Sequence, residues 1–166
     1  MAKATAKRKP KASSRAAARK PPARRAVKAA ARTRAKTKRP HRQRFVASHH
    51  DEADFKQGLR RYAKYRDLGI AAATGGLARA HVIRMIGPCD PAEVSKRHYH
   101  DVDLQLIYVL KGSMTSEFEG VGTITMRQGS CWLQPPRIKH TVLDYSDDCE
   151  VLEIILPADF ATVEVS

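Results

Sequence analysis

The stretch RHYHDVDLQLIYVLKG, residues 97–112, decides the fold. His98 and His100 stand two residues apart, and side chains at i and i+2 of a β-strand point to the same face, so both imidazoles are expected to project together. Gln105 lies five residues beyond His100, inside an apolar run. An odd offset would send its amide to the opposite face. We therefore expect the chain to turn or bulge at residues 101–103 and to bring Gln105 back toward the histidines.

The strand that follows this break, Leu104–Leu110, is apolar on both faces. With Gln105 inward, alternation places Ile107 and Val109 inward as well. The outward positions are also apolar: Leu106, Tyr108 and Leu110. An apolar outer face needs a cover, so we expect a second layer of structure or a homodimer partner.

The positive charge of the chain is concentrated at its N-terminus. Of the 166 residues, 1–44 contain 18 Lys/Arg and no Asp/Glu, whereas the other 122 contain 13 Lys/Arg and all 17 Asp/Glu. Met1 and Val27 are the only large apolar residues of this basic tail, so burial cannot offset its ordering entropy, and we predict disorder. Many cations on a flexible chain release counterions from nucleic acid, which predicts nonspecific, salt-sensitive binding.

Other interpretations of the tail stay open. It could be a solubilising extension, a stretch upstream of a misassigned start codon, or a transit peptide, although its prolines argue against the amphipathic helix of a transit peptide. No apolar region typical of a secretory signal follows the basic start, and no run approaches the roughly 20 apolar residues of a membrane span. The odd number of cysteines indicates reduced thiols: Cys89, Cys131 and Cys149. We therefore expect a cytoplasmic protein, with nucleoid association through the tail as a further option.

The remainder of the chain carries mostly β patterns. Residues 45–65 are predicted to be a short helix or linker, with Phe55, Leu59 and Tyr62 at helical spacing. Many short strand patterns with frequent turn residues then follow over residues 66–158, which is typical of an all-β sandwich or barrel.

The β region is expected to open with a hairpin. The segment LGIAAAT, the pair Gly75-Gly76 and the segment ARAHVIRMIG carry the signal for it. Residues 159–166 are assigned to a C-terminal end outside the barrel.

Two spaced patterns resemble the motifs of the cupin family. The first motif of that family is G(x)5HxH(x)3–4E(x)6G, and here His98, His100, Gln105 and Gly112 follow its spacing, with Gln in place of Glu and no leading Gly.

The second motif of the family is G(x)5PxG(x)2H(x)3N. Gly129, Pro135, Arg137, His140 and Asp144 follow it, with Arg in place of Gly and Asp in place of Asn. The order and spacing of both motifs, sixteen residues apart, carry the resemblance. Since Gly commonly supplies a positive φ, Arg137 is expected to alter the turn before His140.

The resemblance implies a double-stranded β-helix (jelly-roll) barrel over residues 66–158, often dimeric, with a divalent metal among His98, His100, Gln105 and His140. Nitrogen-rich ligation suits a transition metal such as Fe, Ni, Mn, Cu or Zn more than Mg or Ca. Gln105 removes the only anionic ligand, so the uncompensated charge of the ion would favour a small anionic metabolite.

Other residues of the β region are candidates beside this ligand set. Glu153 shares a face with Val151 and Ile155, and if that face is interior it is a general base or an acceptor behind the ligands. His81 is expected to be a hydrogen-bonded core histidine rather than a ligand. The motif histidines could also surround a pocket that holds no metal.

Two function classes follow from these features. The first is a metal-dependent enzyme, an oxygenase or an isomerase/lyase, that acts on a small anionic metabolite. The second is a non-catalytic sensor or binding module whose pocket holds a metabolite while the tail contacts nucleic acid. Fold alone does not separate them, because one fold hosts many activities.

The disorder prediction has a direct test. A variant that lacks residues 1–44 is expected to fold normally and to keep any bound metal, because the tail buries almost nothing. Circular dichroism and metal analysis of both proteins check this, and loss of folding on truncation would contradict the prediction.

Overall fold

The computed structural model describes residues 42–58 and 60–165, which form two antiparallel β-sheets with an apolar core between them. The predicted all-β fold class is confirmed. Nearly all of the basic tail lies outside the described residues, so its disorder, and the boundary at residue 45, stay predictions.

Eleven strands and three short helical turns make up the described part of the chain. The strands are β1 (Lys56–Gln57), β2 (Ala63–Asp67), β3 (Arg79–Met85), β4 (His98–Asp101), β5 (Leu104–Lys111), β6 (Ser113–Phe118), β7 (Gly122–Arg127), β8 (Cys131–Gln134), β9 (His140–Tyr145), β10 (Glu150–Leu156) and β11 (Ala161–Glu164). The turns are a 3-10 helix (Glu52–Asp54), α1 (Ile70–Ala73) and α2 (Pro91–Val94). The larger sheet has the order β1-β2-β3-β10-β5-β8, and the smaller has the order β11-β4-β9-β6-β7.

The predicted break after His100 is confirmed, and it moves the chain from one sheet to the other. Strand β4 belongs to the smaller sheet and β5 to the larger. Between them Val102 is buried, and the Asp103 N–H donates to the Leu156 carbonyl at 2.7 Å. The histidines of β4 therefore meet Gln105 from the opposite sheet.

Strand β5 divides its side chains between core and surface as its alternation predicts. Gln105, Ile107 and Val109 are 2%, 5% and 0% exposed. On the outer face Tyr108 is exposed, as is Leu133 of the neighbouring strand β8. The larger sheet thus keeps an uncovered apolar outer face among the described residues.

Gly112 forms the tight turn between β5 and β6. Its φ is +67°, a backbone conformation that favours glycine. A Cβ here would lie 3.0 Å from the Cys149 Cα and closer still to the Ser146 hydroxyl. Both the backbone conformation and the neighbouring atoms therefore favour glycine at position 112, the last position of the first motif-like pattern.

The described part of residues 45–65, predicted as a short helix or linker, contains no α-helix. That segment contains the 3-10 turn and β1, and β2 starts at Ala63. Ala63, Tyr65 and Asp67 all line the interior cavity, so the period-2 pattern of β2 prevails over the helical spacing. The sheets also extend beyond the predicted barrel range of 66–158, because β1 and β11 lie outside it.

The predicted hairpin is also wrong in one of its two strands. Most of the segment LGIAAAT forms the helical turn α1, and β3 pairs with β2 instead. The run of small alanines lacks the β-branched and aromatic side chains that favour a strand.

In the described part of the chain, no helix has the length and apolarity needed to cross a membrane.

The three cysteines differ in environment, which gives a test of the fold. Cys149 is buried, and burial raises the pKa of its thiol to about 12. Cys131 is exposed on β8. Since the thiolate is the reacting form, iodoacetamide is expected to alkylate Cys131 and to spare Cys149 in the folded protein.

Peptide mass spectrometry after brief labelling at about pH 8 measures both sites. Denatured protein is the control, in which both thiols should react. Equal labelling of Cys149 and Cys131 in the folded protein would contradict the fold.

Candidate metal centre

Three histidine side chains converge inside the barrel. His98 and His100 project from β4, and His140 opens β9 as the register partner of His98. The ring centroids lie 4.3 Å apart for His98 and His140, 5.1 Å for His98 and His100, and 5.3 Å for His100 and His140. One nitrogen from each ring lies within 4.8 Å of the others. Imidazoles at this spacing can share one ion.

Each ring is held by a hydrogen bond at Nδ1. His98 Nδ1 lies 2.7 Å from the Lys96 carbonyl, and His140 Nδ1 lies 3.1 Å from the Ile138 carbonyl. A carbonyl only accepts, so both Nδ1 atoms carry the proton and both Nε2 atoms present a lone pair. His100 Nδ1 lies 3.0 Å from the Thr162 hydroxyl. This is how a protein orients imidazole ligands toward a metal.

Burial keeps the three imidazoles neutral. It lowers the pKa of His98 and brings the pKa of His100 and of His140 to about 4. The neutral ring is the form that binds a metal. The buried, Nδ1-anchored, uncharged donor set therefore fits a divalent transition ion, although the metal itself is unidentified.

A row of hydrogen bonds runs from His81 to the cluster. His81 Nε2 and Glu153 Oε2 are 2.6 Å apart, and Glu153 Oε1 accepts from Gln105 Nε2 at 2.6 Å. Gln105 Oε1 in turn accepts from Gln134 Nε2 at 2.9 Å. Gln134 Nε2 also lies 3.0 Å from His140 Nε2. Gln105 is thus inside the cavity as expected, with its amide engaged on both sides.

The Glu153 carboxylate determines which groups donate and which accept in this row of hydrogen bonds. Burial raises its pKa, but the contacts with His81 and the hydrogen bond from Gln105 outweigh burial and lower the pKa. An ionised carboxylate only accepts hydrogen bonds. It therefore turns the Gln105 NH2 toward itself and the Gln105 oxygen toward Gln134.

Sequence reasoning missed Gln134 and the pairing of His81 with Glu153. Gln134 is the register partner of Gln105, and a polar amide at the end of the strand CWLQ was the available signal. His81 and Glu153 are 72 residues apart and meet because β3 and β10 are neighbours. The sequence left open whether Glu153 faces inward, and its contact with His81 depends on strand order.

Arg137 does not alter the turn before His140, contrary to expectation. Its φ is +62°, so Arg adopts the left-handed conformation. Its N–H donates to the His100 carbonyl at 3.1 Å, and its guanidinium lies 4.9 Å from the Tyr99 ring centroid. Tyr99, which points away from the cluster, thus helps to hold the turn.

The cluster opens onto one interior cavity of about 780 Å³. Both sheets contribute to its lining. Besides the polar groups above, its walls carry five aromatic side chains: Tyr62, Tyr65, Phe118, Trp132 and Phe160. A volume of this size is in the range of small-molecule sites.

Two facing antiparallel sheets that enclose a three-histidine cluster define a small β-barrel with a metal-type site. Residues 89–155 match the family model described as Cupin domain. This matched stretch includes both of the spaced patterns, residues 98–144, that carry the resemblance to that family. No curated protein matches it by sequence.

Solved structures of cupins share its fold at low sequence identity. The polyketide cyclase RemF from Streptomyces resistomycificus is 17% identical over 73% of this chain and 87% of that chain, with a TM-score of 0.56. Oxalate decarboxylase from Lactobacillus farciminis is 14% identical over 68% and 34%, with a TM-score of 0.53.

Salicylate 1,2-dioxygenase from Pseudaminobacter salicylatoxidans is 9% identical over 66% of this chain and 32% of that chain, with a TM-score of 0.52. The matches to the decarboxylase and the dioxygenase span about a third of each of those proteins. These similarities establish the fold.

The contribution of Glu153 to the row of hydrogen bonds from His81 to the cluster can be measured as a change in protein stability. Glu153→Gln keeps the size but removes the charge that His81 and Gln105 contact. We expect the free energy of unfolding of metal-free protein to fall by about 1.5–3 kcal/mol, as for a lost charged hydrogen bond.

The matched control is Glu164→Gln, whose partner is Arg60 at 3.0 Å and whose own side chain is 58% exposed. That variant should lose less than about 1 kcal/mol. Urea denaturation reports both values, and an equally small loss in the two variants would contradict the structural role of Glu153.

Proposed function

We propose that this protein is a metal-dependent cupin that binds and transforms a small anionic metabolite in its barrel cavity. The convergence of His98, His100 and His140 as neutral, Nδ1-anchored imidazoles carries this proposal. A divalent ion held there would act as a Lewis acid on a bound oxygen atom.

Gln105 is proposed as the fourth donor of the metal centre. Its hydrogen bond to Glu153 polarises the amide and strengthens its oxygen as a donor. Its oxygen also accepts from Gln134 at 2.9 Å, so a metal ion would share that oxygen with Gln134.

Glu153 is proposed to act in the site mainly as a positioning residue. Both of its carboxylate oxygens are already engaged. Oε2 contacts the His81 ring, and Oε1 accepts a hydrogen bond from the Gln105 amide. This favours the acceptor role over that of a general base. The catalytic role predicted for Glu153 would require one of these contacts to open.

The proposed reaction classes are an oxygenase and an isomerase/lyase. The fold accommodates such chemistry, since the neighbours include a dioxygenase, a decarboxylase and a cyclase. The aromatic and polar cavity walls would orient the metabolite and exclude bulk water.

A non-catalytic binding module is the second candidate function. The occupied carboxylate of Glu153 favours it, because the group predicted for acid/base work is committed to His81 and Gln105. In this candidate the pocket senses a metabolite, and residues 1–44 contact nucleic acid nonspecifically. Cytoplasmic or nucleoid location accompanies either candidate as a prediction.

A homodimer through the outer face of the larger sheet is also proposed. Leu133 is 60% exposed there, beside Leu106 and Tyr108. Burial of these side chains against a second copy would remove apolar surface from water.

Metal analysis of untagged protein tests the proposed function. Elemental mass spectrometry should find roughly one transition ion per chain, and His140→Ala should carry almost none. The matched control is His49→Ala, an exposed histidine outside the cluster, which should keep the ion. Wild-type protein that never takes up a transition metal would contradict the proposal.

Oxygen uptake and product analysis with enolic and thiol acids then separate the two functions. Metal-dependent turnover that is absent in His140→Ala supports the enzyme. Stoichiometric metabolite binding without turnover across that set supports the binding module.

The donor role of Gln105 gives a separate prediction. Gln105→Glu restores an anionic donor and should hold metal at least as tightly as the wild type in a chelator competition. It also places a second carboxylate beside Glu153, so the thermal midpoint of the metal-free variant should fall because like charges repel. Gln105→Leu is the control without a donor. Weaker metal binding by Gln105→Glu than by the wild type would exclude Gln105 as a donor.

A further inference from the structure

Arg79 projects into the barrel cavity beside the row of hydrogen bonds. It begins β3, and the inward face of that strand continues with His81, Ile83 and Met85, all of which line the cavity. Its register partner is Ile155, which also pairs with Gln105 on the other side. A guanidinium is thus placed at the same level of the barrel as the amide of Gln105.

Within residues 42–58 and 60–165, the guanidinium of Arg79 has no acidic partner. No carboxylate oxygen of the described residues lies within 4.0 Å of it, and its contact is with the Phe160 ring, whose centroid lies 5.8 Å from Cζ. Two other charged residues of the cavity lining do have ion-pair partners. Arg60 pairs with Glu164, and Glu153 pairs with His81. A half-buried cation that lacks a carboxylate partner among the described residues can be stabilised by a bound anion.

Phe160 connects this cation to the metal centre. Its ring meets the His100 ring edge-on, with centroids 5.6 Å apart and planes at 80°. The cation and the imidazole therefore flank one aromatic side chain. A flat ligand that lies against Phe160 can reach Arg79 with one end and the histidines with the other.

The charges of the cavity indicate a ligand with a single negative charge at this end. Arg79, Arg60 and Lys56 line it together with three acidic residues: Asp54, Asp67 and Glu153. The lining is therefore close to neutral outside the histidines. The Lys56 ammonium donates to the Ala53 carbonyl at 2.6 Å, whereas the Arg79 guanidinium can offer one carboxylate two parallel hydrogen bonds.

We propose that Arg79 anchors the carboxylate of an aromatic monocarboxylate whose ring lies against Phe160 and whose far end reaches the histidine cluster. This proposal rests on the proposed metal-dependent function, because the histidine cluster would act on the far end of the ligand. It names the substrate class of that function. The aromatic walls of the cavity suit such a ring, because aromatic pairs are attractive beyond simple burial.

Calorimetric titration with benzoate tests the proposal on the full-length protein at about 0.15 M salt, which screens the basic tail. The variant is Arg79→Gln, and the matched control is Lys64→Gln on the exposed face of β2. Arg79→Gln should weaken benzoate binding by about tenfold or more, as expected for a charged hydrogen-bonded pair. Lys64→Gln should leave it unchanged, and Arg79→Lys should restore part of it.

Three further probes define the ligand class. Benzyl alcohol lacks the charge, cyclohexanecarboxylate lacks the planar ring, and phenyl phosphate carries the second charge. Each should bind more weakly than benzoate to the wild type. Undetectable benzoate binding, equal binding to the wild type and Arg79→Gln, or tighter binding of any of the other three probes would overturn the proposal. If Arg79→Gln does not fold, the same comparison is made with Arg79→Lys.

The titrations are run on metal-free and on zinc-loaded protein, so that the two proposals can fail separately. Arg79-dependent benzoate binding by protein that takes up no metal would support the anchor and contradict the metal function. Metal uptake together with equal benzoate affinity in the wild type and Arg79→Gln would support the metal function and contradict the anchor.

Discussion

The convergence of three neutral imidazoles is the constraint on which the site depends. Histidines with centroids 4.3 to 5.3 Å apart cannot all be protonated in a buried cavity without strong repulsion. Burial lowers their pKa values, and the Nδ1 contacts of His98 and His140 leave their Nε2 atoms as acceptors. The fold provides this geometry because the chain changes sheets between β4 and β5, and because His140 pairs in register with His98.

The negative charge of the site lies on a neighbouring strand rather than in the first motif. The family pattern has Glu where this chain has Gln105, and a carboxylate returns at Glu153, one hydrogen bond away at 2.6 Å. The charge is therefore near enough to offset a cation electrostatically but is shared with His81. This arrangement links strands of the larger sheet to the cluster, and Arg79 at the start of β3 adds a positive charge that has no carboxylate partner among the described residues.

The motif spacing predicted the match to the cupin model, the cluster of three histidines and the change of direction before Gln105, because these features depend on residues close together in the sequence. Motif spacing does not predict contacts between strands that are distant in the sequence. Gln134 meets Gln105, and His81 meets Glu153, only through strand order. The alanine-rich α1 was predicted as a strand, and motif spacing does not show that Arg137 adopts a positive φ and contacts Tyr99.

X-ray absorption spectroscopy of zinc-loaded full-length protein tests the central claim most directly. Three imidazole nitrogens should appear in the first coordination shell at about 2.0–2.1 Å, with oxygen completing it. A first shell with one imidazole or none, or with sulfur in their place, would contradict the account.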